Sequence, residues 1–199
     1  AYSSIGQVGI ILTGIAALSA DSTLPASGVM LYLVGYSLTN MLVFAGLISF
    51  FNMTGKDEIA DFRGLADGQP FLAATIAIGL FSLGGLPIFA GFTIKFYLFT
   101  ALASQGMLWL AGLAIFSSLI SLYYYLQVIR QMYIRPVEEV AQAIAGGEVH
   151  VPEGTDASTS PLILAIQAVT LMGVFWVGVY PAPFLMVIDA ASQAILPGL

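Results

Sequence analysis

Between Gly68 and Ile129 the sequence carries a single charged residue, Lys95. A run of that length cannot be covered by water-soluble side chains, because a soluble domain has about 25% charged residues. The whole chain follows suit, with 8% charged and 59% hydrophobic residues and a mean hydropathy of +0.96. Its apolar runs match the roughly 20 helical residues that cross about 30 Å of hydrocarbon. Barrel strands would be about 10 residues long and alternating. The expected fold class is therefore an all-α integral membrane protein.

Five hydrophobic segments emerge, at about 4–18, 28–52, 70–103, 107–133 and 161–179, within one transmembrane domain. The gaps at 53–69 and 134–159 hold most of the charges and are expected to be cytoplasmic loops. In the first gap, Ile59, Phe62 and Leu65 fall at helical spacing and predict a short amphipathic surface helix. In the second, residues 136–145 could form a short helix, and the lone His150 is expected to be solvated. The chain opens on Ala1-Tyr-Ser-Ser-Ile rather than Met, so it is expected to be the C-terminal part of a longer protein.

The third segment is the anomalous one. As one straight helix it would measure about 51 Å, too long for one span and too short for two plus a turn. Gly84-Gly85-Leu86-Pro87 resolves this, since proline removes a backbone donor and glycine loosens the chain. Two half-helices joined by an unwound stretch inside the bilayer are predicted, and such a stretch must line a cavity or be buried in protein. Ser160 and Pro161 mark the start of the last span and Tyr180-Pro181-Ala-Pro183 its end. Trp176 and Tyr180 suit an interfacial belt. Residues 184–196 are expected to lie along the surface.

Five spans place Lys56, Arg63, Arg130 and Arg135 on one side and leave only Asp21 and Asp189 on the other. The positive-inside rule assigns the four bases to the cytoplasm. The last span then ends on the non-cytoplasmic side.

Lys95 follows the break and lies near mid-membrane. A charged lysine there costs at least ~2.5–3.5 kcal/mol. Burial disfavours the ammonium, so such a lysine can exchange protons near neutral pH, as a proton relay requires. The break adds free carbonyls and helix ends whose partial charges bias a local site. Asn40, Thr39, Ser117, Ser118, Ser121, Tyr124 and Gln7 sit at depths that could extend a polar path. Ser117, Ser121 and Tyr124 share a helix face by spacing. Taken singly, each is expected to bond back to its own helix or pack at a helix contact. The run Tyr123-Tyr-Tyr125 reads as packing. The alternative for Lys95 is a buried ion pair that merely holds helices together.

Other chemistries are excluded or unsupported. A net charge of −6 argues against nucleic acid as a partner. With no cysteine there is no disulfide, cysteine-held iron–sulfur cluster or thiol nucleophile, and one histidine leaves few metal ligands. Gly84-Gly85 does not open a phosphate loop, because no Gly-Lys-Ser/Thr follows. No cofactor or metal is expected in this chain.

Several stretches carry a resemblance. They are Ala1-Tyr-Ser-Ser-Ile-Gly-Gln-Val-Gly9, Asp61-Phe-Arg-Gly-Leu65, Leu83-Gly-Gly-Leu-Pro87, Gly91-Phe-Thr-Ile-Lys-Phe-Tyr-Leu-Phe99 and Ser121-Leu-Tyr-Tyr-Tyr-Leu126 with Arg130-Gln-Met-Tyr133. The chain resembles the antiporter-like membrane subunits of respiratory complex I, nearly end to end and in order. The resemblance implies about fourteen helices in two inverted repeats, each with a broken helix. This chain would be most of the second repeat plus the C-terminal helix. Lys95 would be the essential charged residue of the second broken helix. A lysine there favours the N- or L-type branch, and Tyr123-Tyr-Tyr125 the N-type. Gln7 stands where many bacterial members have histidine, as in the photosynthetic form, and Met41-Leu-Val-Phe44 is a mild departure. The implied function is proton translocation coupled to quinone reduction in a bacterial plasma membrane or thylakoid-type membrane. NADH or ferredoxin, flavin, iron–sulfur clusters and quinone would be bound by other membrane and redox subunits. The alternatives are an Mrp-type Na⁺/H⁺ antiporter subunit and a structural membrane anchor.

Overall fold

The computed structural model describes residues 2–19, 22–134 and 160–195. The residue 136–145 helix, Arg135, His150, Asp21 and most of the 134–159 loop lie outside the described residues. The helices are α1 (Tyr2–Ala16), α2 (Leu24–Thr54), α3 (Leu65–Gly68), α4 (Pro70–Gly84), α5 (Ala90–Ser104), α6 (Leu108–Tyr133), α7 (Pro161–Val179) and α8 (Ala182–Ile195). Three of them, α2, α6 and α7, are long and apolar enough to cross a membrane individually.

The organising element is α2, which packs against α1, α4, α5, α7 and α8. Its 31 residues make a rod of about 46 Å. Glycines let neighbours come close. A Cβ at Gly35 would meet Ile94 Cγ2 at 2.5 Å, and one at Gly46 would meet Ile76 Cγ1 at 2.5 Å. Leu98 of α5 seats against Gly28, and Val43 seats against Gly79 of α4. Read along α2, residues 28 and 35 meet α5, whereas 43 and 46 meet α4. The half-helices α4 and α5 therefore lie end to end, antiparallel to one continuous helix. The break is at 85–89, where the Gly-Gly-Leu-Pro signal predicts it.

Another antiparallel partner of α2 is α7. Gln167 Nε2 donates to Ser49 Oγ at 3.2 Å, and Gly173 packs under Leu38. Pro161 occupies the first turn, but the Ser160 side chain makes no cap; its backbone carbonyl accepts from Ile163 and Leu164 instead. The following α8 turns onto the start of α2. Ser27 Oγ donates to Asp189 Oδ1 at 2.6 Å, and Ile188 and Ser192 are buried. Met186 and Val187 face outward, so α8 is half embedded in the bundle. Trp176 and Tyr180 are both exposed.

The segment expected to be one amphipathic helix is two short turns. A 3₁₀ turn, Ile59–Phe62, and α3 are separated by Gly64 at φ 69°. Phe62 stacks on Phe50 with ring centroids 4.0 Å apart, and Leu65 is buried, but Ile59 is exposed. Lys56, exposed, lies 3.8 Å from the half-buried Asp61, a long surface pair of little energetic weight. Gly64 N donates to Gln131 O at 3.4 Å. This contact puts Lys56, Arg63 and Arg130 at the same end of the bundle.

Candidate functional site

The site is made by the way α4 ends. Gly85 takes φ 84°, its N–H donates to Ser82 O at 2.9 Å, and Leu86 N–H donates to Phe81 O at 3.1 Å. This pair of bonds is the Schellman closure of a helix. It satisfies the carbonyls of residues 81 and 82 but not that of Leu83. A continuing helix would cover Leu83 O with the N–H of residue 87, and residue 87 is proline, which has none.

That orphaned carbonyl receives Lys95. Lys95 Nζ donates to Leu83 O at 2.7 Å, the length of a charge-assisted bond. The lysine is 5% exposed. Its ammonium sits on the negative end of α4. Gly85 is favoured here by its positive φ, and a Cβ would also crowd the lysine stem, 3.2 Å from Lys95 Cδ. Among the described residues Lys95 has no carboxylate partner, so the buried ion pair is not formed within them.

Ser82 joins the two half-helices. Gly91 N–H, in the first turn of α5, donates to Ser82 Oγ at 3.0 Å. Thr39 Oγ1 donates to Gly35 O at 2.8 Å, so the 3.0 Å contact between Thr39 and Ser82 has Ser82 as donor. Ser82 thus caps α5 across the break and ties it to α2. We expect Ser82→Ala to lower the stability of the assembled protein by about 1 kcal/mol, the loss of one helix cap, seen as a reduced thermal midpoint.

A cavity of ≈ 10 Å³ opens beside the lysine, lined in part by Tyr36, Thr39, Ser82 and Gln7. It has room for about one water molecule among polar partners. Gln7 reaches the same carbonyl from α1, with Nε2 donating to Leu83 O at 3.3 Å and to Tyr125 OH at 3.4 Å. Tyr32 OH donates to Gln7 Oε1, and Ser3 Oγ lies 2.6 Å from Tyr125 OH. From the other side α7 presses bare backbone on the break. A Cβ at Gly178 would come within 2.6 Å of Phe89 C, and Thr93 Oγ1 donates to Gly178 O at 2.9 Å. Ile88, between these contacts, takes φ 82°, which β-branched residues rarely adopt.

Of the residues singled out in the sequence, Lys95, Gln7, Thr39, Gly84, Gly85 and Pro87 come together at the break. Asn40 is half-buried and does not line the cavity. Ser121 bonds back to Ser117 O at 3.1 Å, and both are half-buried. Ser118 Oγ is buried with no hydrogen-bond partner among the described residues. Tyr124 is 59% exposed, whereas its neighbour Tyr125 is 5% exposed and belongs to the site. Ser82, Tyr32 and Tyr125 enter only with the structure. The spacing of Tyr32, Tyr36 and Thr39, at four and three residues on α2, is the signal that could have found Tyr32.

The site is thus a helix break in an apolar chain, with a buried lysine on the carbonyl that the break frees. Residues 1–121 match the family model described as NADH:quinone oxidoreductase/Mrp antiporter, TM, and the chain belongs to that family. It is 39% identical over 184 residues to NADH-quinone oxidoreductase subunit N of Moorella thermoacetica, covering 92% of this chain and 35% of that protein. The Mrp complex of Dietzia sp. shares the fold at a TM-score of 0.77 and 19% identity, over 97% of this chain and 41% of that one. Respiratory complex I from Thermus thermophilus follows at a TM-score of 0.57 and 20% identity, over 98% and 45%. The chain therefore spans a little over a third of the length of the subunit N relative. It is an integral, multi-pass membrane protein, helical throughout the elements of its described residues.

Proposed function

We propose that this chain is the C-terminal part of the proton-translocating membrane subunit of an NADH:quinone oxidoreductase-type complex, and that Lys95 takes and passes a proton. The observation that carries the reading is the Lys95 ammonium, buried on the Leu83 carbonyl beside a cavity the size of one water. Five spans are proposed, the third being α4 and α5 in line, arranged as the second inverted repeat of an antiporter-like subunit. Thr39, Ser82 and Tyr36 would hold the water that receives the proton. Asn40, Ser117, Ser121 and Tyr124 remain outer candidates for the path, and Ser118 offers a hydroxyl for another water. The shared end of Lys56, Arg63 and Arg130 would face the cytoplasm. Redox groups and quinone would be held by other subunits, and the preceding stations of the relay by the rest of this one.

In vesicles containing the full-length complex, Lys95→Ala is expected to reduce pumping coupled to quinone reduction strongly; full pumping by that variant overturns the reading. A second reading, an Mrp-type Na⁺/H⁺ antiporter subunit, is favoured by the Dietzia fold likeness. Transport by the full-length protein that requires sodium and proceeds without quinone reduction would select it.

A further inference from the structure

Two side chains donate to the Leu83 carbonyl, Lys95 and Gln7, and only the lysine can carry a proton. We propose that Gln7 is a positioning residue, held in place by Tyr32, that keeps the Leu83 carbonyl hydrogen-bonded whenever Lys95 lets go of it. The inference rests on the reading of Lys95 as the proton carrier.

A carbonyl oxygen accepts two hydrogen bonds, and Leu83 O has two donors, Lys95 Nζ at 2.7 Å and Gln7 Nε2 at 3.3 Å. The first is charge-assisted and roughly twice as strong as a neutral one. It weakens when the ammonium loses its proton, and the lysine is then free to turn toward the cavity. A buried carbonyl with no remaining donor resists that turn, because leaving it unsatisfied is unfavourable. The Gln7 amide removes the resistance by holding the same oxygen throughout.

That role depends on which end of the amide faces Leu83. Turned over, Gln7 would set oxygen against oxygen. Leu83 O can only accept, so it fixes Nε2 toward itself, and in that orientation Tyr32 donates to Gln7 Oε1 while Tyr125 OH accepts from Nε2. Tyr32 is fully buried in the core, so its hydroxyl has no solvent alternative. An amide neither takes up nor releases a proton near neutral pH, which separates Gln7 from the stations of the relay.

The test is a double-mutant cycle in the full-length protein within its complex, reading the rate of proton pumping in vesicles with assembly measured by co-purification. Gln7→Met and Tyr32→Phe are each expected to slow pumping about fivefold, the scale of one neutral buried hydrogen bond. Tyr32→Phe is expected to add nothing in the Gln7→Met background, since it acts only through Gln7. Gln7→His, which retains a donor and an acceptor, is expected to keep most of the rate. The proposal is overturned if Tyr32→Phe has no effect, if the two losses multiply, or if Gln7→His is as slow as Gln7→Met. Should Gln7→Met not assemble, Gln7→Asn is too short to reach both partners and carries the same expectations. Full pumping by Lys95→Ala would overturn the relay reading itself. Loss there, with Tyr32→Phe and Gln7→Met unchanged, overturns only the positioning role.

Discussion

Replacing Lys95 with alanine in the full-length complex is expected to reduce pumping roughly a hundredfold, the scale of one positioned proton-transfer group, while the complex still assembles. Assembly survives because Leu83 O, the acceptor left behind, still has the Gln7 donor at 3.3 Å. No carboxylate among the described residues is left unpaired by the change. Lys95→Met separates function from packing. It fills the space of the stem, so retained assembly with lost pumping supports the relay, whereas lost assembly with a normal pump in the surviving fraction would identify an anchor. Pumping by vesicles, quinone reductase turnover and co-purification of the other subunits are the three readouts.

Gly91→Ala is expected to cost about 3 kcal/mol or more, the upper end of overpacking penalties, and to abolish accumulation of the assembled protein. An added Cβ would lie 2.5 Å from Ser82 C and 3.2 Å from Ser82 Oγ. The obstacle is backbone, so no side chain can swing aside. Either α5 moves away from α4 or the last turn of α4 unwinds. Both outcomes break the Gly91 N–H to Ser82 Oγ bond and shift Lys95, one turn further along, from its carbonyl. A variant that assembles with an unchanged thermal midpoint would show that the close approach of the half-helices is dispensable.

The break and its lysine were legible because both violate the rules of an apolar span. A proline four residues after Leu83 and a cation in hydrocarbon leave few interpretations. The rotation of each helix was not legible. In a soluble helix the polar face fixes the rotation, but α2 and α6 are apolar nearly all round and give no such marker. Spacing alone grouped Ser117, Ser121 and Tyr124. The buried face of α6 runs instead through Ala111, Ala114, Ser118, Tyr125 and Met132. The choice between Tyr124 and Tyr125 is one residue, or about 100° of rotation, and only packing against α1 and α4 settles it. Ser82 was hidden for another reason. Its role is to cap a helix nine residues away, a contact that exists only once the chain has folded back across the break.

Leu83 enters the site solely through a backbone oxygen. Any amino acid at that position would present the same acceptor, so a mutational scan would register only the packing of its buried side chain. Whether the acceptor is free is decided at Gly85, whose φ of 84° ends α4 before any later N–H can reach Leu83 O. Gly85 substitutions should therefore behave like lesions of the lysine, and substitutions at 83 like lesions of the core. The genetic footprint of the lysine site is displaced by two residues from the atom that makes it.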